Sequence, residues 1–309
     1  LTAGAARRKT RFAASAVAIA VVFLLPGWDD EKFLPSPSMI TRPPSQAKSI
    51  EPSVGRLRDR GTLEFAYHGP AAHIGVVNVD GAPQLHINGN PNTSRRDWEL
   101  RAMNAIYPLS FVDEPERAFV VGLGGGLSAS IFAEFDSIRE VTVSEIAIGA
   151  IKALPYFDVQ NDDFTEQPYY DKVDFVAADA IKVLRSAKKP FDIIVSEPNH
   201  PWVAGVENLF SAEFLTIVRD RLTEDGVYCQ WFPLFQSEPG AVLAILNTFR
   251  QVFPEVRAFS TGGGTLSILA SKKALRADTD RLERVNAQVG HRLEANDSPF
   301  AKPLFVLAT

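Results

Sequence analysis

The chain has 309 residues, enough for one large domain or two. Its hydrophobic fraction of 46% and charged fraction of 22% are those of an ordinary globular protein. They exclude a collagen-like, wholly disordered or mainly transmembrane chain. A net charge of −5 offers no general basic surface for nucleic acid. The single cysteine, Cys229, excludes an internal disulfide framework and a cysteine-rich zinc site. It stands near Trp231 in an apolar run and is expected in the core.

With Leu1 at its start, the sequence is expected to be a fragment or a processed chain. Residues 7–11 read Arg-Arg-Lys-Thr-Arg, and residues 12–25 carry no charge before Pro26. A full span needs about 20 apolar residues, and continuing to Trp28 adds length and an interfacial aromatic. The run can be read as the last helix of a membrane domain, a signal peptide or a buried core helix. The first reading makes 1–28 a membrane segment. The basic run followed by a single span would place the rest of the chain outside the cell. Residues 29–60 contain Pro35, Pro37, Pro43, Pro44 and Pro52 and read as an extended linker.

Residues 61–110 read as a small β-rich domain, with strands at 62–67, 72–79 and 84–87. Asp80-Gly81 between the second and third is a hairpin signal. A helix is expected over 96–105, capped by Asp97 and ended by Pro108. From 111 to 275 short apolar strands alternate with amphipathic helices. The strands fall at 118–121, 140–144, 173–177, 191–196, 227–231 and 265–270. The helices fall at 127–135, 146–154, 180–187, 211–222 and 239–252. This alternation predicts an α/β domain with a mainly parallel sheet covered on both faces. Gly262-Gly263-Gly264 reads as a hairpin turn. The tail, 276–309, is mixed and polar and has no evident role.

In such a sheet, ligands bind beyond the carboxyl ends of the strands. The first of these strands ends on Gly122-Leu123-Gly124-Gly125-Gly126, the second on Glu145 and the third on Ala178-Asp179-Ala180. The fourth ends on Ser196-Glu197-Pro198-Asn199-His200-Pro201-Trp202. A glycine turn alone is no more than a tight strand-to-helix connection. Followed by a carboxylate at the end of the next strand, it predicts a nucleoside site, because that carboxylate can accept both ribose hydroxyls. Leu127 stands where a dinucleotide fingerprint needs its third glycine, which argues against NAD. His200 can serve the substrate or merely the loop, and Trp202 can line the site or pack beneath it. His68, His73, His86 and His291 show no metal-ligand spacing, and no metal is predicted.

These motifs resemble the spermidine synthase (polyamine aminopropyltransferase) family, most of all its membrane-fused bacterial branch. The likeness spans about residues 60–270 and includes Ile87-Asn88-Gly89. The segment Leu24-Leu25-Pro26-Gly27-Trp28-Asp29 is similar to the end of that branch's membrane domain. The resemblance implies a Rossmann-like, methyltransferase-type domain behind a small N-terminal β-domain. It implies decarboxylated S-adenosylmethionine as the donor and a small-molecule amine as the acceptor. It also allows a homodimer, attached to a membrane, with the catalytic domain in the cytoplasm. Glu145 would hold the ribose and Asp179 the adenine amino group. Gly122, Gly124, Gly126, Ala180 and Ser196 would complete the pocket. Glu197 would stand for the family's catalytic Asp, with His200 beside it.

Two departures qualify the resemblance. The family's Asp-x-x-Asp-Pro core reads Glu197-Pro198-Asn199-His200-Pro201, and its polyamine-binding Tyr-His-Glu run aligns with Leu100-Arg101-Ala102. An arginine there repels a cationic substrate. Two other functions stay open, a methyltransferase using S-adenosylmethionine itself and a non-catalytic nucleoside-binding regulatory module.

Overall fold

A computed structural model describes residues 61–93, 98–198, 203, 205–235, 237–262, 264–276 and 278–294. The expected membrane segment, the linker, Asp97, His200 and Trp202 lie outside the described residues. No described helix is long and apolar enough to cross a membrane.

The described chain opens with a four-stranded antiparallel meander, β1 (Gly61–His68), β2 (His73–Val79), β3 (Ala82–Ile87) and β4 (Asn90–Thr93). Asp80 and Gly81 both have positive φ, as do Asn88 and Gly89, so both tight hairpins use the backbone that matches strand twist. Ile74, Val76 and Leu85 pack on Ala147, Ala150 and Phe157 of the larger domain.

The next element, α1 (Trp98–Leu109), is longer than expected and runs through Pro108. Ser110 still donates its N–H to the carbonyl of Ile106, so the proline does not end the last turn. The larger domain follows, with β5 (Arg117–Val121), α2 (Leu127–Glu134), β6 (Glu140–Ser144), α3 (Ile148–Ala153), β7 (Val173–Val176) and α4 (Ala180–Ser186). After these come β8 (Phe191–Ser196), α5 (Ala212–Arg221), β9 (Leu222–Pro233), α6 (Pro239–Val252), β10 (Glu255–Gly262) and β11 (Thr265–Ser271).

Seven strands form one sheet in the order β10-β11-β9-β8-β5-β6-β7. The five from β9 to β7 are parallel, while β11 and then β10 add antiparallel. The central strand β5 buries both faces by alternation. Ala118 and Val120 of β5 join the core under α1 and α2, whereas Phe119 and Val121 join the core under α4, α5 and α6. Cys229 is fully buried in the first core. Burial pushes its thiol pKa well above the usual value, and the charge of Glu197 adds to that.

The polar tail holds two more helices, α7 (Thr279–Val289) and α8 (His291–Glu294). Leu282, Val285 and Val289 recur on one face of α7 and are buried. Arg292 is only 1% exposed, and its guanidinium meets Glu134 at 2.8 Å and Asp162 at 3.0 Å. Trp98 donates to the Arg292 carbonyl at 3.3 Å. The C-terminal helices are thus stapled to α1, α2 and the segment around Asp162.

Candidate active site

Strand order reverses where β5 lies between β6 and β8, so the carboxyl ends of β5 and β8 open a crevice. The first residue past each strand is still held by its neighbour. Gly122 donates its N–H to Ser144 O at 2.9 Å, Glu145 to Val176 O at 3.0 Å, and Glu197 to Val121 O at 3.0 Å. The chemistry-bearing residues therefore stand on rigid strand ends.

The glycine turn is shaped by sterics. Gly126 caps α2 at φ +88°, and a Cβ there would lie 2.4 Å from Leu154 Cδ1. Gly122, at φ +81°, would bring a Cβ within 3.2 Å of the Glu197 carbonyl. Both positions require glycine. Gly124 also has positive φ. Asn161 is fully buried and donates to the Gly125 carbonyl at 2.6 Å, which fixes the turn from below.

Glu145 is nearly buried, and each of its oxygens accepts one backbone N–H. Leu123 donates to Oε2 at 2.9 Å and Ala147 to Oε1 at 2.8 Å. Burial raises its pKa, and the N–H groups of Leu123, Ala147 and Ile146 oppose that rise. A carboxylate offers about four acceptor sites, so each oxygen keeps one for a ligand hydroxyl. Ile146 beside it is 63% exposed, an apolar face next to this carboxylate.

Asp179 caps α4, accepting the Lys182 N–H at 3.2 Å. The Ser144 hydroxyl donates to Ala178 O at 2.8 Å and pins this loop to β6. Ala180 is buried at the start of α4, and the Ser196 side chain is wholly buried at the end of β8.

Glu197 faces a narrow cleft shared with Trp98, Arg101, Leu123, Leu127 and Gln160. Asn104 Nδ2 donates to its Oε1 at 3.0 Å and Ser128 Oγ to the same oxygen at 2.9 Å. Among the described residues no hydrogen bond engages Oε2. Asn104 is itself locked, since the Ser267 hydroxyl donates to its Oδ1 at 2.6 Å. Burial raises the Glu197 pKa, and the Arg101 charge and the Asn104 and Ser128 hydrogen bonds act against that rise. The sequence reading passed over Asn104 and Ser128. Their signal was a polar residue inside each apolar helical run, Ala102-Met103-Asn104-Ala105-Ile106 and Leu127-Ser128-Ala129.

Fold and site together define an α/β protein of the Rossmann-like, methyltransferase type, with carboxylates at the ends of β6 and β8 and a glycine turn between them. The spermine/spermidine synthase domain model matches residues 101–265, more than half of the chain. The protein belongs to that family. Similar sequences include a polyamine aminopropyltransferase of Streptococcus uberis, 25% identical over 194 residues, covering 60% of this chain and 65% of that relative. Another is the polyamine aminopropyltransferase of Clostridium kluyveri, 24% identical over 234 residues, covering 72% and 82%. The chain thus spans just under two thirds of the first relative's length. Among solved structures, a spermidine synthase in complex with the transition-state analogue AdoDATO superposes with a TM-score of 0.61 at 20% identity, covering 77% of this chain and 89% of that one. The spermidine synthase from Thermotoga maritima gives 0.61 at 20%, covering 74% and 79%. Both have this fold.

Proposed function

We propose that the chain transfers an aminopropyl group from decarboxylated S-adenosylmethionine to a small amine acceptor, with Glu197 as the catalytic base. The observation that carries this reading is the placement of Glu197. It is a carboxylate at the switch point of the sheet, gripped through one oxygen and, among the described residues, not hydrogen-bonded through the other. The names of the similar proteins support the same chemistry.

The donor supplies a carbon made electrophilic by an adjacent sulfonium. The chain's own residues do the rest. Glu145 has the spare acceptor sites for two ribose hydroxyls, and Ile146 offers an apolar face for the base. Asp179, the N-cap of α4, would accept from the adenine amino group. The glycine turn lets the backbone come close without a Cβ in the way. An amine with a pKa near 10 arrives protonated at neutral pH and cannot attack. Glu197 Oε2 receives that proton in a site sheltered by Trp98 and Leu127. Its raised pKa brings it nearer to working pH, which favours a general base. The amine nitrogen then bonds to the aminopropyl carbon, the carbon–sulfur bond breaks, and its electron pair stays on sulfur in methylthioadenosine. Residues 12–28 are proposed to tether this domain to a membrane, supported by the uncharged run that ends at Trp28.

The test is release of methylthioadenosine from decarboxylated S-adenosylmethionine with a panel of amines and amino acids. Tight nucleoside binding without turnover across a broad panel would favour the regulatory-module reading instead.

A further inference from the structure

The guanidinium of Arg101 is the unexplained charge of the cleft. Arg101 and Asn104 are three residues apart on α1, so they share one face. Asn104 holds Glu197, and Arg101 lines the same cleft one turn earlier. On the other side it reaches the glycine turn, where a Cβ on Gly124 would lie 3.4 Å from Nη1. Its hydrogen bond to the protein runs from Nη2 to the Asn92 carbonyl. Nε is buried without a partner, and among the described residues no carboxylate lies within ion-pair distance. The buried guanidinium of Arg292, by contrast, pairs with both Glu134 and Asp162. The charge of Arg101 acts on Glu197 across the cleft without forming an ion pair with it, and the fork of an arginine matches a carboxylate. A diamine pocket would need negative charge at two points. Among the described residues this cleft presents one negative and one positive group.

We propose that Arg101 is a specificity-determining residue that pairs with a substrate carboxylate, so the cleft takes an aminocarboxylate in place of a second ammonium. The inference rests on the proposed transferase site. The carboxylate has two possible sources, the acceptor or the methionyl tail of an S-adenosylmethionine that has not been decarboxylated.

Calorimetry on the full chain separates them. One arm compares S-adenosylmethionine with its decarboxylated form. The other compares 4-aminobutyrate with putrescine on protein saturated with methylthioadenosine. The carboxylate-bearing ligand should bind at least about ten-fold tighter in one arm, as a charge-assisted pair requires. That arm names the source. Arg101→Gln should abolish the preference, Arg101→Lys should keep part of it, and Arg101→Glu should invert it. Methylthioadenosine, which has no charged tail, should bind all four proteins alike and reports an intact nucleoside pocket. Equal affinities in both arms for the unmodified protein, or a preference that survives Arg101→Gln, overturns the inference. If the unmodified protein does not bind methylthioadenosine, the nucleoside-site reading itself fails, and this inference falls with it.

Discussion

Replacing Glu197 with Gln separates charge from shape. Asn104 and Ser128 both donate to Oε1, and a glutamine oxygen in the same place accepts both bonds. The side-chain position is therefore kept, while the oxygen facing the cleft becomes an amide nitrogen that cannot take a proton. General-base catalysis supplies about 10² to 10⁴ in rate, or about 2.7–5.4 kcal/mol of barrier. Glu197→Gln should lose that factor in kcat, read as methylthioadenosine release under saturating donor. Donor affinity should hold, because Glu145 and the glycine turn sit on β6 and β5. Stability gives an independent check. Burial raises the Glu197 pKa, so the folded state holds this proton more tightly than the unfolded chain. Its contribution therefore declines as pH rises from the ordinary carboxylate range through the raised value. Glutamine does not titrate, so the variant's Tm should gain on the unmodified protein as pH rises. Undiminished kcat in Glu197→Gln would remove the catalytic assignment and leave a nucleoside-binding domain.

Glu145→Ala should weaken methylthioadenosine binding at least ten-fold, since hydrogen bonds to a charged group contribute about 1.5–3 kcal/mol each; unchanged affinity in a titration refutes the ribose role. The acid limb of the kcat–pH profile should lie above the ordinary carboxylate range, because kcat rises only as Glu197 ionises. Asn104→Ala removes a bond that favours the ionised form and should move that limb higher; a limb that stays put breaks the link between them. Arg292→Ala leaves Glu134 without its buried partner and should lower unfolding stability by about 3 kcal/mol, the low end for a broken buried pair because Asp162 is half-exposed; chemical denaturation measures it. A chain shortened to begin at Ser53 should fold and stay in solution, while residues 12–28 fused to a soluble reporter should carry it to the membrane fraction.

Much of the architecture was legible because parallel strands are buried on both faces and read as short apolar runs. Reading the residue after each run then found the glycine turn, Glu145, Asp179 and Glu197. Strand β10 escaped because it lies at the sheet edge, where Arg257 and Ala258 are exposed and the apolar alternation weakens. Strand β9 begins earlier than its apolar run, since its first residues include the exposed Glu224 and Asp225. The helix through Pro108 was missed because tertiary packing overrode a local stop signal: Ile106, Tyr107 and Leu109 are all buried. In the tail, Leu282, Val285 and Val289 line one helical face behind the cap Asp278, but one apolar stripe in a polar stretch gave no helix in the sequence. Of the site, the carboxylates were visible and their supports were not. Asn104 and Ser128 touch Glu197 from 93 and 69 residues away in sequence. No local pattern records such a contact.

Aminopropyl transfer is tested by product analysis. The full chain is incubated with decarboxylated S-adenosylmethionine and a mixture of amines and aminocarboxylates, and the products are followed by mass spectrometry. Methylthioadenosine should form together with an acceptor that has gained one aminopropyl group, and both should be lost in Glu197→Gln. Formation of S-adenosylhomocysteine and a methylated acceptor from S-adenosylmethionine, with no methylthioadenosine from the decarboxylated donor, would contradict aminopropyl transfer.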